Sequence, residues 1–368
     1  MKILIIDNAS MVTIPSGHHC TNNLNGLFLS EMMELGNDLT YIQFAIERAD
    51  SISVFDLEEH GVKCVELKSK VHKFLRYILA IPKLAKSIRQ TDFVYFYYPN
   101  SFRWATYLCR MFRKPYGLYV RGMNGVENST SRNIYKHAFT VFTVSDQFTN
   151  MVNAVTKKEM AHTIRPMIPY TDADVITGRD FASRKTYNIL FLGRIAKYKG
   201  MEELVQAARQ LRDKGYHFVL RIVGNGEFVE QTKQLVANLE LKDCVSLEGP
   251  VYDDAKKADY YKNADLYVLP TYHEGFPRTL YEAMIFGTPI VTTFVGGIPA
   301  LMKDGENCKR IEPRSAESII EGLKYAMDNY AEMGKMANNA SGLVARIVNK
   351  KRLTHAQHLN QILNEYGK

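Results

Sequence analysis

The chain has 368 residues and a formal net charge of +8, and its 46% hydrophobic and 23% charged residues argue against a disordered chain. No stretch approaches the ~20 apolar residues that cross a bilayer, and Asp7 interrupts the opening run Ile3–Ile6 too early for a signal peptide. Five scattered cysteines exclude a disulfide framework or a zinc ribbon. Length and composition therefore predict two domains in a protein of the reducing cytoplasm.

Strand-like and helical segments alternate through the first half of the chain. A buried-strand pattern at Ile3–Ile6 leads into a loop that contains Gly17, and a helical pattern then runs to Leu35 and closes at Gly36. Further strand-like runs, separated by helical segments, cover residues 39–44, 93–97, 116–120 and 139–144. Strands that alternate with helices indicate a parallel sheet covered on both faces.

The positive charge is concentrated between residues 63 and 114, where twelve basic residues stand against two acidic ones and give the segment a net charge of +10. Within residues 71–89, Lys and Arg alternate with apolar side chains at helical spacing, which predicts one or two amphipathic helices interrupted or kinked at Pro82. Either this helix covers a sheet with its apolar face, or it docks on anionic lipid. No nucleic-acid reading motif accompanies the charge. The predicted membrane or acceptor surface comprises Lys68, Lys70, Lys73, Arg76, Lys83, Lys86 and Arg89.

The alternation of strands and helices starts again after a polar, turn-rich stretch at 166–183. Five strands are predicted there, with helices between them, at residues 187–192, 218–223, 245–247, 266–269 and 290–292. We therefore predict two Rossmann-like α/β domains with doubly wound parallel sheets that face each other across a cleft. The N-terminal domain covers residues 1–170, the C-terminal domain covers 171–349, and a final helix over 350–368 packs back on the first domain.

Strand-to-helix connections in the second half carry groups suited to ligand binding, because the C-terminal ends of parallel strands face the ligand crevice. The connection from Gly193 to Gly200 contains Arg194 and Lys199. A forked guanidinium and an ammonium beside a helix N-terminus suit a diphosphate, although both side chains also fit solvated loop positions. The connection Val295–Pro299 has two glycines and fits either a ligand-binding turn or a tight turn without a ligand.

The connection from Glu274 to Glu282 admits two interpretations. Thr279-x-x-Glu282 fits a capping box, in which both side chains satisfy the N-terminus of a helix. Alternatively, Glu282 is a buried functional carboxylate with a polar partner, because the apolar run Ala283–Phe286 follows it. In that case the flexible Gly275 lets backbone amides turn toward a ligand.

In this order and spacing, these segments resemble the retaining glycosyltransferases of family 4 (group 1), which have the GT-B fold. The resemblance is close over residues 187–311 and loose in the N-terminal half. It implies transfer of a sugar from a nucleotide-diphosphate sugar to an acceptor with retention of configuration, without a divalent metal or a cofactor. The motifs that carry it are Gly193-Arg194, Lys199-Gly200, Asn263–Pro270, Glu274, Glu282-Ala283-Met284, Gly287–Val291 and Gly296–Pro299.

The resemblance also implies roles for individual residues. Arg194 and Lys199 hold the diphosphate and neutralise the leaving group, and Glu274 faces the transferred sugar; these three are the implied catalytic residues. Glu282 accepts hydrogen bonds from the ribose hydroxyls, and Gly17 lets the first loop approach the diphosphate. The remaining donor-binding positions are Gly275, Phe276, Pro277, Arg278 and Thr279 around the sugar and phosphate, and Pro250 and Val251 near the base.

The chain departs from the family pattern at three places. Many relatives have a histidine after the strand 116–120, where this chain has Arg121-Gly122-Met123, and an arginine is not a base near neutral pH. His18 or His19 is a candidate replacement. The Asn-Gly turn of the interdomain junction is replaced by residues 167–170, and the D-x-D pattern of Asp172 and Asp174 lies in the predicted linker, where we expect no metal.

The basic segment favours a lipid-linked or surface-polysaccharide intermediate as the acceptor, and a cytoplasmic protein at the inner face of the cell membrane. A nicotinamide-dependent oxidoreductase is a poorer fit because no G-x-G-x-x-G follows the first strand. Two alternatives stay open: a nucleotide-sugar epimerase of the same fold, and a non-catalytic basic protein that binds membranes or anions.

Overall fold

The computed structural model describes residues 1–47, 54–67, 72–120, 128–275 and 277–366, and only the backbone of Lys73 and Phe74. The chain divides into two compact units: unit 1 is Met1–Met167 with Leu353–Lys368, and unit 2 is Ile168–Arg352. The boundaries predicted from the sequence lie three residues from these at both junctions. Within the described ranges, no helix is both long enough and apolar enough to cross a membrane.

Unit 1 is built on a mostly parallel sheet that a short antiparallel ribbon extends. The strand order is β10-β9-β8-β7-β1-β4-β2-β3-β5, with β6 paired to β4, and only the β2–β3 and β3–β5 pairs are antiparallel. The strands are β1 Lys2–Ile6, β2 Met11–Thr13, β3 His19–Thr21, β4 Asp38–Glu47, β5 Phe55–Asp56, β6 Lys63–Leu67, β7 Phe93–Tyr98, β8 Tyr116–Val120, β9 Thr140–Thr143 and β10 Ala161–Thr163. The helices are α1 Asn23–Glu34, α2 Lys73–Gln90, α3 Ala105–Met111, α4 Ser129–His137 and α5 Asp146–Thr156.

Unit 2 has a parallel sheet in the order β13-β12-β11-β14-β15-β16, with helices around a single apolar core. The strands are β11 Tyr187–Leu192, β12 Phe218–Val223, β13 Val245–Gly249, β14 Leu266–Leu269, β15 Ile290–Thr293 and β16 Lys309–Ile311. The helices are α6 Met201–Asp213, α7 Val229–Asn238, α8 Asp254–Asn263, α9 Arg278–Ile285, α10 Ala316–Asp328 and α11 Tyr330–Ile347.

The sheet of unit 1 separates two apolar cores, as the alternation of side chains along a strand requires. Leu4 and Ile6 of β1 lie in one core with residues of α2 to α5. Ile3 and Ile5 lie in the other core with α1 and the C-terminal helix α12, His355–Tyr366. Helix α12 is thus part of unit 1, although it follows unit 2 in the chain.

Two features of unit 1 bear on the sequence prediction. The short strands β2, β3, β5, β6 and β10 were not predicted, because two to five residues carry too little periodicity. Of the two alternatives for residues 71–89, one helix or two, the structure has one, because α2 continues through Pro82. Pro82 is exposed, so the carbonyl that loses its amide partner is on the side where water replaces the hydrogen bond.

Candidate functional site

The site in unit 2 is formed by the loops after β11, β14 and β15, which meet at the C-terminal edge of the parallel sheet. The backbone N–H of Tyr272 donates to the carbonyl of Tyr198 over 2.7 Å, which ties the second loop to the first. The N–H of Gly297 donates to the carbonyl of Gly275 over 2.8 Å, which ties the third loop to the second. The three connections singled out in the sequence therefore lie together.

Arg194 lies exposed at the start of the first loop and pairs with Glu227. Its Nε is 3.0 Å from the Glu227 Oε2, and the pair is largely in solvent. The backbone beneath Arg194 is packed against Gly224 and Gly226, where a Cβ would lie 1.8 Å from the Gly193 oxygen and 2.1 Å from the Ile195 oxygen. In the sequence this Gly-Asn-Gly segment indicated only a turn; its close packing was missed.

Lys199 and Glu274 form a direct ion pair that joins the first loop to the second. Their side chains are only 12% and 13% exposed, so each charge depends on the other for most of its stabilisation. Gly200 allows the first loop to approach the second this closely. Its φ is +75°, and a Cβ there would lie 2.2 Å from the backbone oxygen of Pro270. From the sequence, both charged residues were predicted at the C-terminal ends of parallel strands. That they form a pair was not predicted.

Gly296 makes the third loop part of the same arrangement. Its φ is +57°, and a Cβ on it would lie 1.8 Å from the backbone oxygen of Glu274. A glycine is therefore required both by the left-handed backbone conformation and by the close approach. The third loop thereby supports the backbone that carries the Glu274 carboxylate.

Glu282 is buried and has no capping role. Helix α9 begins at Arg278 with Pro277 at the N-cap and without a side-chain cap, so the capping-box interpretation is wrong. The reason is that Thr279 lies inside the helix, two positions after the N-cap Pro277, and so cannot cap it. The Glu282 Oε2 accepts a hydrogen bond of 2.8 Å from the Tyr261 hydroxyl.

The environment of Glu282 opposes its ionisation. Burial raises the pKa of its carboxyl above the ordinary value, while the hydrogen bond from Tyr261 and the nearby cation of Lys257 act in the opposite direction. Both partners lie on α8, and neither was predicted from the sequence to approach Glu282. The adjacent tyrosines at 260 and 261 on an otherwise polar helix were the available signal.

A groove of about 1000 Å³ lies beside the sheet of unit 2 and includes the two positions expected near the base, Pro250 and Val251. Most of its lining residues carry polar or charged side chains, and the Tyr260 hydroxyl donates to Glu248 over 2.5 Å at its wall. The remaining lining residues are Asn188, Arg221, Tyr252, Asp253, Lys256, Asp259 and Asn263.

Other predicted positions fall in unit 1 or outside the described residues. Gly17 belongs to unit 1, with φ +85° and open space around its Cα. His18 and His19, the candidate replacements for the family histidine, pair with carboxylates of Asp56 and Glu58 in the same unit. Phe276 and residues 121–123 lie outside the described part of the chain.

The D-x-D pattern has a local structural role. The Asp174 Oδ2 accepts a hydrogen bond of 2.7 Å from the Thr171 N–H, and Thr171 completes a capping box around the short 3-10 turn 172–174. The Asp172 Oδ1 accepts a bond of 2.9 Å from the backbone N–H of Lys350. Both carboxylates therefore stabilise the polypeptide around the junction of the two units.

The basic helix α2 has a buried face and, in addition, an exposed apolar stripe. Leu84 and Ile88 lie in the core of unit 1. The exposed side chains that form the apolar stripe are Leu75, Ile78, Leu79 and Ile81. If α2 only covers the sheet, the burial of Leu84 and Ile88 is explained. The exposed apolar stripe has no partner among the described residues.

The predicted basic residues of α2 differ in their surroundings. The Arg76 guanidinium lies over the Phe44 ring at 4.7 Å, and the Arg89 guanidinium lies over the Phe112 ring at 4.2 Å. Lys83 and Lys86 are exposed, and the Lys83 ammonium donates to the carbonyl of Glu66 over 2.7 Å. Lys68, Lys70 and the side chain of Lys73 lie outside the described residues.

Comparisons with known proteins agree with this architecture. Residues 179–342 match the family Glycosyl transferases group 1. An uncharacterized glycosyltransferase of Methanocaldococcus jannaschii is 32% identical over 152 residues, which cover 41% of this chain and 38% of the relative. The putative colanic acid biosynthesis glycosyltransferase WcaL of Escherichia coli is 29% identical over 143 residues, which cover 37% of this chain and 34% of WcaL. The chain thus matches less than half of the length of these relatives.

The crystal structure of Anabaena HepE in complex with UDP-glucose has a similar fold over the whole chain. The TM-score is 0.68 at 17% sequence identity, with 100% of this chain and 99% of HepE covered. The chain therefore has the GT-B fold, and within unit 2 it is residues 179–342 that match the group 1 glycosyltransferases, which its motifs resemble.

Replacing Gly296 by alanine should destabilise unit 2 more than the same change at Gly305. Both glycines have positive φ, but a Cβ at Gly305 meets nothing within 4 Å. Gly305→Ala should lose about 1 kcal/mol for the backbone conformation, and Gly296→Ala about 2–5 kcal/mol because the clash with Glu274 is added. Urea denaturation followed by far-UV circular dichroism measures both losses. Equal losses would show that the close approach is not a constraint.

Glu282→Gln should change the pH dependence of stability in a defined direction. Because the native pKa lies above 4.5, ionisation in the folded state is unfavourable, and wild-type stability falls as pH rises from about 4.5 through the native pKa. The glutamine variant lacks this contribution, so its stability relative to wild type should increase over that interval. Urea denaturation at a series of pH values tests this, with the exposed Glu321→Gln as control; parallel curves would contradict it.

Proposed function

We propose that this chain is a retaining glycosyltransferase that moves a sugar from a nucleotide-diphosphate sugar to an acceptor. The observation that carries the proposal is the partly buried Lys199–Glu274 pair at the C-terminal edge of a group 1 glycosyltransferase domain. A cation and a carboxylate held there by three interlocked loops suit a substrate that combines a diphosphate with a hydroxyl-rich sugar. HepE, which shares the fold, was solved with UDP-glucose, and this supports a nucleotide-sugar donor.

In the proposed reaction, Lys199 exchanges partners when the donor binds. Without a donor its ammonium is neutralised by Glu274. The diphosphate brings a larger negative charge to the same place and draws the ammonium away from the carboxylate. Glu274 is then released to accept hydrogen bonds from the hydroxyls of the transferred sugar.

Arg194 makes a similar exchange on the solvent side. Its guanidinium is exposed and paired with Glu227, and an exposed pair of this kind costs little to break. As the bond from the sugar to the diphosphate breaks, negative charge grows on the leaving phosphate, and two cations at that place lower the energy of the transition state. With two cations in this role, the proposed reaction requires no divalent metal and no cofactor.

Glu282 and the groove around Pro250 and Val251 complete the proposed donor site. We assign the Glu282 carboxylate to the ribose hydroxyls, with Tyr261 holding its orientation. A carboxylate buried against one hydroxyl retains acceptor capacity for a second hydroxyl from the ligand. The groove beside α8 has room for the base of the nucleotide.

We propose a lipid-linked or surface-polysaccharide intermediate as the acceptor, with α2 on the membrane. The exposed apolar stripe of Leu75, Ile78, Leu79 and Ile81 adjoins Lys83 and Lys86 on the same helix. Such a combination suits the boundary of an anionic bilayer, where apolar side chains enter and ammonium groups meet lipid phosphates. The relation to WcaL, whose name places it in colanic acid biosynthesis, supports a polysaccharide acceptor.

Removing the Lys199 charge should abolish most donor turnover. We expect Lys199→Met to reduce kcat by about 10²–10³-fold, because a charged donor at the leaving group is lost. The matched control is Lys233→Met, an exposed lysine of α7 that pairs with Glu230. Release of nucleoside diphosphate from UDP-, GDP- and ADP-sugars measures the turnover, and unchanged turnover in Lys199→Met would refute the assignment.

Thermal shift with UDP, GDP, ADP and NAD separates the competing functions. A nucleoside diphosphate at about 100 times its Kd should stabilise the protein by about 2.7 kcal/mol. Stabilisation by NAD alone would overturn the transferase assignment in favour of a nicotinamide enzyme. Conversion of the donor sugar without its transfer would favour an epimerase.

Sedimentation with vesicles tests the membrane surface. Wild-type protein should bind anionic vesicles in a salt-sensitive way, and each lysine charge removed from α2 should weaken binding by about fivefold. The variants are Lys83→Glu, Lys86→Glu and, for the apolar stripe, Ile78→Ser with Leu79→Ser; the control is Lys136→Glu on α4. Equal binding to neutral vesicles, or an equal loss in the control, would contradict this surface.

A further inference from the structure

A cluster of side chains of metal-binding types lies in unit 1 and shares no strand, helix or loop with the site in unit 2. His19 is in β3, Glu58 follows β5, and Cys64 is in β6. All three segments connect to strand β4: β6 pairs with Thr40–Phe44, β2 pairs with Ala45–Glu47, and β3 and β5 extend the sheet from β2. Residues separated by up to 45 positions in the chain are thereby brought to one place.

The geometry of the cluster is compact enough for a single ion. One ligand atom from each of His19, Glu58 and Cys64 lies within 4.8 Å of the others. The His19 Nδ1 is 2.6 Å from the Glu58 Oε1, which fixes the orientation of the ring. An ion held by both of these atoms would take the place of the hydrogen bond between them.

The other nitrogen of His19 provides an independent observation. Its Nε2 is shielded from solvent and has no hydrogen-bond partner among the described residues. The Glu66 Oε2 lies 3.8 Å from it, which is too long for a hydrogen bond. A buried ring nitrogen without a partner is costly. With an ion on Nδ1, Nε2 carries the ring proton and faces the Glu66 carboxylate, as the second nitrogen of a metal-bound histidine commonly does.

The donor types select the class of metal. Imidazole nitrogen, thiolate sulfur and carboxylate oxygen together suit zinc and similar divalent transition metals, whereas magnesium and calcium take oxygen ligands. We propose that His19, Glu58 and Cys64 form a binding site for a divalent transition-metal ion of the zinc class. A water molecule completes the four-coordinate shell.

Such an ion would join three segments that otherwise share few contacts. Strands β3 and β5 are only three and two residues long, and short strands of this kind are weakly held by their own hydrogen bonds. The ion ties both to β6 and so stabilises the sheet edge that follows the Gly17 loop. This role is independent of the proposed sugar transfer.

Cobalt(II) is the probe for this site, because it takes the place of zinc and gives a thiolate charge-transfer absorption. The full-length protein is freed of metal with a chelator and titrated with Co²⁺. We expect about one ion per chain with a thiolate band. Cys64→Ser should lose the band, and Cys244→Ser in unit 2, the matched control, should retain it. A missing band, or a band that survives in Cys64→Ser, would overturn the site.

A second measurement needs no variant and therefore does not depend on the folding of one. Alkylation of the wild-type cysteines is followed by peptide mass mapping with and without Zn²⁺. The ion should protect Cys64 strongly and leave the labelling of Cys244 unchanged. It should also raise the melting temperature reported by the fluorescence of Trp104, the single tryptophan of the chain, which lies in unit 1. Equal labelling of Cys64 in both conditions would refute the proposal.

Discussion

The ion pair between Lys199 and Glu274 is the interaction on which the arrangement of unit 2 depends. It joins two loops that follow different strands, and its side chains are largely removed from water. Two charges that are largely removed from water are stable only as a pair. The two loops must therefore stay close enough for the ammonium to contact the carboxylate. The glycines at 200 and 296 make this approach possible, since a Cβ at either one would strike the backbone of the opposing loop.

This constraint links the fold to the proposed chemistry. A parallel sheet places the ends of β11, β14 and β15 at one edge, and the paired charges occupy that edge in the absence of a substrate. A site whose cations already have carboxylate partners avoids the cost of unpaired charge. In the proposed reaction, an anionic substrate of higher charge density replaces those partners, so the interaction that stabilises the loops would also prepare the proposed donor site.

Much of the fold was predictable because its signals are local. Long strands with buried faces and the restart of the α/β alternation after residue 183 follow from periodicity and composition. The strands of the β2-β3-β5 ribbon were not predictable, because they are two or three residues long and their pairing partners are distant in the chain. Periodicity around Pro82 left one helix or two open, and only the tertiary structure shows the single helix α2, in which Leu84 and Ile88 pack into the core.

The sequence by itself determined the two α/β units, the resemblance of the second one to group 1 glycosyltransferases, and the residue types at the ends of its strands. Only the tertiary structure decided the partners of those residues: Glu274 for Lys199, Tyr261 for Glu282, and Glu58 for His19. It also decided between the two interpretations of Glu282, because the helix begins at Arg278 and leaves Thr279 inside it. The physical reason is that motifs and periodicity depend on neighbours along the chain, whereas charge pairing and burial depend on neighbours in space.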